Sequence, residues 1–210
     1  MLLDLFRRNR DFFLLFAFLL GVVGVLQIRY TEENLMQWVN SHNSPTADVF
    51  FTYATYFGDG VFFVIVCVIL LVVNRRIGAM AFASFALSSL TSLFLKVVVF
   101  PERLRPLKFF EHSVYQYRII KGLEIYSYNS FPSGHTTTAF AMFSLLAFVD
   151  NHRGRGWLFL LLATLTGYSR VYLFQHFVED AFVGSIIGTT SSVIVWLLLW
   201  RWVRVSEATT

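Results

Sequence analysis

The chain has 210 residues and a formal net charge of +4; 56% of its residues are hydrophobic and only 14% are charged. Soluble domains are about 45–50% apolar and about 25% charged, so this composition excludes a typical soluble domain and indicates an integral membrane protein. The basic residues lie in short clusters between apolar runs, a pattern typical of membrane topology, so we predict no nucleic-acid partner.

Six apolar segments are predicted to cross the membrane as helices, several of them close to the length needed for about 30 Å of hydrocarbon. The first, residues 12–28, has no small-residue cleavage site after it, so we expect it to be retained as a span. The second joins residues 61–73 to part of 48–57 across a Gly-Asp-Gly interruption at 58–60. The remaining predicted spans cover residues 79–99, 134–149, 157–172 and 177–200.

Two connections between these spans are more than simple turns. After the first span, Thr31 can cap a short helix whose apolar residues allow it to lie in the headgroup layer. Between the third and fourth spans, residues 100–131 form a polar outer loop. That length is unusual for a structureless connection, which points to a functional role for the loop.

An even number of spans places both termini on the same side of the membrane. The positive-inside rule makes that side cytoplasmic, because it carries the arginines near the span ends: Arg7, Arg8, Arg10, Arg75, Arg76, Arg153, Arg155, Arg201 and Arg204. The predicted fold is therefore all-α, with residues 1–210 forming a single domain. We predict an integral bundle of six transmembrane helices in a cell membrane, with the outer loop and residues 169–180 on the extracytoplasmic side.

The segment SRVYLFQHFVED, residues 169–180, carries polar side chains between two apolar runs. His176 and Asp180 are four residues apart, so on a helix both project from one face, one turn apart. A carboxylate in that position accepts the Nδ1 proton of the imidazole and leaves Nε2 free to act as a nucleophile. We therefore predict that His176 is a catalytic nucleophile.

The sequence FPSGHTTT supplies an anion site at the same face of the membrane. Ser133 can cap the helix that begins there, and we expect free N–H groups at Ser133, Gly134 and His135. Gly134 permits close backbone approach, and His135 is placed beside any anion bound there. Positive charge is available on the same side of the membrane from four residues, and a phosphate suits this set better than a carboxylate does: Lys96, Arg103, Arg105 and Arg170.

These residues resemble the motifs of the membrane-bound type 2 phosphatidic acid phosphatases, relatives of bacterial acid phosphatases and vanadium haloperoxidases. The Pro-Ser-Gly-His motif is complete at residues 132–135, and the Ser-Arg-x5-His-x3-Asp motif is complete at residues 169–180. The first motif, Lys-x6-Arg-Pro, is altered: Arg103 has the expected spacing from Lys96 but no proline after it. Arg105 precedes Pro106 two residues later, and we favour it because the proline rigidifies the chain there; Arg103 is the alternative.

The resemblance implies a mechanism. His176 attacks phosphorus to form a phosphohistidine while Asp180 orients it, and His135 protonates the leaving oxygen. The phosphate oxygens are held by Lys96, Arg105, Arg170, Ser133 and the Gly134 amide. We expect no metal and no cofactor, because these cations do the work of a metal ion, and the single cysteine, Cys67, provides no thiolate metal site.

The expected substrate is a lipid phosphate or diphosphate whose headgroup enters from the membrane surface while its tails remain among the membrane lipids. Candidates are an isoprenyl diphosphate carrier such as undecaprenyl diphosphate, phosphatidylglycerol phosphate, phosphatidic acid or a lipid A phosphate. Two alternatives stay open. One is a phosphotransferase that passes the phosphoryl group to another lipid, and the other is a catalytically silent lipid-binding or transport protein.

Overall fold

A computed structural model describes residues 1–150, 152 and 154–207 of the chain. Within these residues every regular element is a helix, so the all-α prediction is confirmed. Arg153, one of the predicted cytoplasmic arginines, lies outside the described residues. The helices are α1 Leu2–Arg8, α2 Arg10–Arg29, α3 Glu32–Ser41, α4 Pro45–Ala54, α5 Gly60–Val73, α6 Arg75–Phe94, α7 Pro106–Phe109, α8 Gly134–Val149, α9 Gly156–Tyr172 and α10 Val178–Glu207.

Side-chain caps set where several helices begin. The hydroxyl of Thr31 accepts a hydrogen bond from Asn34 N at the start of α3, and Ser44 does the same for α4, where Pro45 occupies the first turn. The side chain of Asn74 caps α6, which therefore starts at Arg75 and not at residue 79 as predicted. A capping oxygen satisfies an amide that has no partner inside the helix, so these polar residues mark the helix starts.

Three of the described helices are long and apolar enough to cross a membrane: Arg10–Arg29, Arg75–Val99 and Val178–Leu199. The last turn of the second of these, Leu95–Val99, is a π-helical turn. α4, a 3-10 turn over Thr55–Gly58 and α5 pass the same test together but bend by 53° at their junction. The predicted interruption of the second span is thus confirmed as a bend, while the full count of six spans stays a prediction.

α8 is the central helix of the bundle, because every residue from 136 to 145 is buried. α10 packs against it closely through two glycines. A Cβ at Gly184 would lie 2.9 Å from the carbonyl oxygen of Ser133, and one at Gly188 would overlap the carbonyl oxygen of Thr137. The two backbones therefore approach each other as small residues allow in membrane helix pairs, and this brings the start of α10 beside the start of α8.

The outer loop is held in place by specific contacts. Asn40 on α3 donates a side-chain hydrogen bond to Arg118 O and accepts one from Arg118 N, both at 2.8 Å. Beneath the loop, Met36 of α3 and Phe110 of the loop are buried with Phe174, which follows α9. These contacts fasten α3 and the loop to the turn that joins α9 to α10.

Replacing Gly188 with alanine should destabilise the protein, because the added methyl group would lie 2.8 Å from Ala141 N and 2.9 Å from Phe140 Cβ. Overpacking of this kind typically costs about 1–3 kcal/mol, which we expect to appear as a lower melting temperature in detergent. Gly21→Ala is the matched control, since a Cβ at Gly21 meets nothing within 4 Å. A melting temperature of Gly188→Ala equal to that of Gly21→Ala would contradict the close packing of α8 and α10.

Candidate active site

The His176 and Asp180 side chains meet in the interior of the protein. His176 Nδ1 lies 3.1 Å from Asp180 Oδ2, and their residues are 1% and 0% exposed. The predicted contact between the two side chains is confirmed. The expectation that both residues lie on one helix is wrong. His176 precedes α10, which begins at Val178, and Asp180 in the first turn of that helix reaches back to it.

A tight turn after α9 produces this arrangement. The amides of Gln175 and His176 donate to Arg170 O at 3.0 and 3.2 Å, and Phe174 has a positive φ of 59°. The chain thereby reverses within a few residues and aims the imidazole into the bundle. Asp180 Oδ2 also accepts a hydrogen bond from Phe177 N at 2.9 Å, so the carboxylate is held by the same turn that holds the histidine.

Ser130 is a member of this network that the sequence did not reveal. Its hydroxyl donates to Asp180 Oδ2 at 2.5 Å, and the residue is fully buried. Ser130 lies just before the Pro-Ser-Gly-His motif, but nothing in its local sequence identifies the acid with which it pairs. Burial lowers the pKa of His176 well below its usual range, and the charges of Arg105 and Arg170 add to that effect, so the imidazole is neutral at neutral pH.

The start of α8 agrees with the predicted anion site in part. Ser133 caps the helix, since its Oγ accepts from Thr136 N at 3.4 Å. The expectation of a free N–H at Ser133 is wrong, because that amide donates to Asp180 O at 3.0 Å. The amides of Gly134 and His135 have no hydrogen-bond partner among the described residues, so two donors of the helix start remain for a ligand.

Three of the predicted cations surround this helix start. Lys96, in the π-helical turn, donates to Asn129 O at 2.7 Å, and its Cε lies 4.0 Å from the position of a Cβ on Gly134. Arg105 donates from Nη1 to the backbone and side-chain oxygens of Gln175, both at 3.3 Å. Arg170 is only 8% exposed, and its Nε has no hydrogen-bond partner among the described residues. A buried guanidinium with a free donor is suited to hold an anion.

The two candidate arginines of the altered first motif have different surroundings. Arg103 is exposed and forms an ion pair with Glu179. Arg105 is half-buried, its backbone amide donates to Ser127 O at 2.9 Å, and burial lowers its pKa. Since Arg105 also contributes its charge at His176, the geometry favours Arg105 over Arg103 as the phosphate ligand.

Two other parts of the chain reach the site without a signal in the sequence. Asp59 Oδ2 lies 3.9 Å from His135 Nε2, and Thr55 Oγ1 accepts a 2.7 Å hydrogen bond from Arg170 Nη1. The carboxylate of Glu32 on α3 accepts hydrogen bonds from the amides of Val178 and Glu179 at 3.1 and 3.2 Å and so caps α10. Burial and the neighbouring Glu179 raise the pKa of Glu32 to about 7.

The site therefore combines a neutral buried imidazole, a second histidine and a cluster of cations at a helix start. These groups can bind a multiply charged oxyanion, attack it at its central atom and supply a proton to a leaving oxygen. Among the described residues, no group of three or more His, Cys, Asp or Glu side chains could hold a metal ion.

Comparison with known proteins gives a family match, a curated relative and two similar solved structures. The family model of the PAP2 superfamily matches residues 77–204. Over 67 residues the chain is 39% identical to the bacitracin transport permease protein BcrC of Bacillus licheniformis, an alignment that covers 32% of each chain. The chain thus matches about a third of the length of this curated relative.

Two solved structures are similar to this chain. One is LpxE of Aquifex aeolicus, with a TM-score of 0.66 and 26% identity, covering 77% of this chain and 92% of that one. The other is a transmembrane PAP2-type phosphatidylglycerolphosphate phosphatase from Bacillus subtilis, with a TM-score of 0.57 and 23% identity, covering 90% and 94% of the two chains. The second likeness is one of fold alone.

Inorganic phosphate should bind the purified protein, and Arg105→Gln should weaken that binding about tenfold or more, because a charged hydrogen bond is lost in a partly buried site. Arg103→Gln should weaken the binding much less, since Arg103 is exposed and paired with Glu179. The rise in melting temperature with phosphate concentration measures both affinities. A larger loss for Arg103→Gln than for Arg105→Gln would contradict the assignment.

Proposed function

This chain belongs to the PAP2 superfamily, and we propose that it is a membrane lipid phosphatase that works through a phosphohistidine at His176. The observation that carries the proposal is the buried pair of His176 and Asp180 beside the cationic start of α8. A buried neutral imidazole with an oriented Nδ1 has its Nε2 lone pair available for attack on an electrophile. Phosphorus in a bound phosphate ester is the electrophile that the surrounding cations favour.

In the first step, His176 Nε2 attacks phosphorus and the bond from phosphorus to the leaving oxygen breaks. Asp180 accepts the Nδ1 hydrogen bond and stabilises the positive charge that develops on the imidazole, as the acid of a catalytic triad does. His135 gives its proton to the leaving oxygen. In the second step, a water molecule loses a proton to His135 and attacks phosphorus, the N–P bond breaks, and inorganic phosphate is released with His176 restored.

The cations supply the electrostatic part of catalysis. The charge of the transferring phosphoryl group is spread over its equatorial oxygens, which Lys96, Arg105 and Arg170 would hold. The free amide of Gly134 and the hydroxyl hydrogen of Ser133 complete the set of donors, with Arg103 in a lesser role at the rim. Since these groups can balance the phosphate charge, we propose that the reaction needs neither a metal ion nor a cofactor.

We propose that the substrate is a lipid phosphate or diphosphate and that the enzyme is a single six-span domain. Support comes from the membrane-crossing helices and from the fold shared with LpxE and with a phosphatidylglycerolphosphate phosphatase. The charge distribution of the sequence favours cytoplasmic termini in the cell membrane, with the site on the extracytoplasmic side and α3 in the outer headgroup layer. In that position the site meets lipid headgroups while their tails remain in the bilayer.

A transport function is the second candidate, because the BcrC relative is named a transport permease. A transporter on this scaffold would bind the lipid phosphate without breaking the ester bond. A phosphotransferase would break the bond but pass the phosphoryl group to an acceptor lipid. Phosphate release measured alongside labelling of an added acceptor lipid separates the phosphatase from both alternatives.

His176→Ala should lower the release of inorganic phosphate from a lipid phosphate by roughly a thousandfold or more, because loss of a nucleophile removes the covalent route. His112→Ala is the matched control, since His112 is a strongly exposed histidine of the outer loop. A phosphate-release assay in detergent compares the two variants with the native protein. Full activity of His176→Ala would contradict the mechanism, and an inactive native protein would favour the transport alternative.

A metal chelator should leave the native rate of phosphate release unchanged, because the charge balance is provided by side chains. The same reactions, quenched in alkali, should contain a labelled phosphohistidine when the substrate carries a labelled phosphate, and the label should be missing from His176→Ala. Loss of activity with chelator, restored by an added divalent cation, would overturn the metal-independent mechanism.

A further inference from the structure

The bend in the second predicted span reaches the active site, although none of the three sequence motifs includes it. We propose that the segment Thr55–Asp59, here called the span-two break, is a positioning element of the site, and that Asp59 orients His135 and supports its protonated form. This inference rests on the proposed function, in which His135 is the proton donor. Asp59 would act through His135 and would not touch the substrate.

The span-two break is docked firmly against the helices that carry the site. A Cβ on Gly58 would overlap the backbone oxygen of His135, so only glycine fits this contact without a shift. Thr138 Oγ1 donates a hydrogen bond to Gly58 O, and Thr55 Oγ1 accepts one from Arg170 Nη1 of α9. The break is therefore fixed to both α8 and α9, the helices that hold His135 and Arg170.

The two polar side chains of the break face two different groups of the site. Thr55, which is buried, accepts the 2.7 Å hydrogen bond from Arg170 Nη1. Asp59 uses its two oxygens differently: Oδ1 accepts a 2.7 Å hydrogen bond from Val61 N and caps α5, whereas Oδ2 lies 3.9 Å from His135 Nε2. The cap fixes the carboxylate in place, which leaves its second oxygen directed at the imidazole.

The charges around His135 explain why a carboxylate is needed there. Arg170 from α9, Arg105 from the outer loop and Lys96 from the π-helical turn place three positive charges near His135. The imidazole of His176 faces the same space. Asp59 is the acid in this set, and its attraction for the imidazolium opposes the three cations. A general acid must carry a proton at the moment of reaction, so this opposition bears directly on turnover.

Two variants separate a purely structural role of Asp59, as the cap of α5, from a role of its charge at His135. Asparagine is about as good a helix cap as aspartate, so Asp59→Asn keeps the cap and removes only the charge. Serine also caps well, but it is too short to reach His135, so Asp59→Ser is an independent second variant. Melting temperatures of both variants in detergent should be close to that of the native protein, which shows that the fold is retained.

The experiment compares two substrates with different needs for a proton donor. An alkyl phosphate releases an alkoxide that must be protonated, whereas 4-nitrophenyl phosphate releases a phenolate that leaves without a proton. Under single-turnover conditions, which isolate the first step, Asp59→Asn should lower release of the alcohol from the alkyl phosphate about tenfold or more and leave release of 4-nitrophenolate unchanged. The alkaline limb of the alkyl phosphate pH profile should move to lower pH by about one unit.

Equal losses on both substrates, or native turnover with a native pH profile in both variants, would overturn the role of Asp59. His176→Ala is assayed in parallel, which distinguishes failure of the phosphohistidine mechanism from failure of the role of Asp59. If His176→Ala still releases phosphate from both substrates, the proposed phosphohistidine mechanism is wrong. If His176→Ala is inactive while Asp59→Asn and Asp59→Ser match the native protein, the mechanism stands and only the positioning role is rejected.

Discussion

The buried carboxylate of Asp180 is the contact on which the site depends. Its Oδ2 accepts hydrogen bonds from His176 Nδ1, Phe177 N and the Ser130 hydroxyl. Its backbone oxygen accepts a further hydrogen bond from Ser133 N. One residue thus joins the start of α10, the turn before it, the end of the outer loop and the start of α8. A buried charge is costly unless such partners surround it, so the same hydrogen bonds that keep Asp180 in the interior also align the imidazole of His176.

Buried polar side chains elsewhere in the bundle also need hydrogen-bond partners, because their surroundings are apolar. Ser192 on α10 donates to Ala141 O at 2.5 Å and lies 2.7 Å from the hydroxyl of Ser84 on α6. Where water is scarce, small polar side chains must find partners within the protein, and they link helices when they do. α10 is held against α8 by these hydroxyl contacts and by the close packing at Gly184 and Gly188. This packing keeps the start of α10 beside the start of α8.

The parts of the site that the sequence predicted are those governed by local physics. The helix caps at Thr31 and Ser133, the pairing of His176 with Asp180 and the bend at residues 58–60 all depend on residues within a few positions of each other. One detail that involved a distant partner was wrong. The amide of Ser133 was expected to be free, but it is taken by the backbone of Asp180, which lies far away in the sequence.

The sequence by itself determined the membrane environment, the all-helical class and the motif residues, because composition, apolar run length and short spacings are local properties. Only the tertiary structure shows how the surroundings of the two arginines differ, since the exposed pair of Arg103 with Glu179 depends on where α10 begins. It alone brought Ser130 to Asp180 and the span-two break to His135. Contacts across many residues follow from how helices pack, and packing is a property of the whole chain that no single segment encodes.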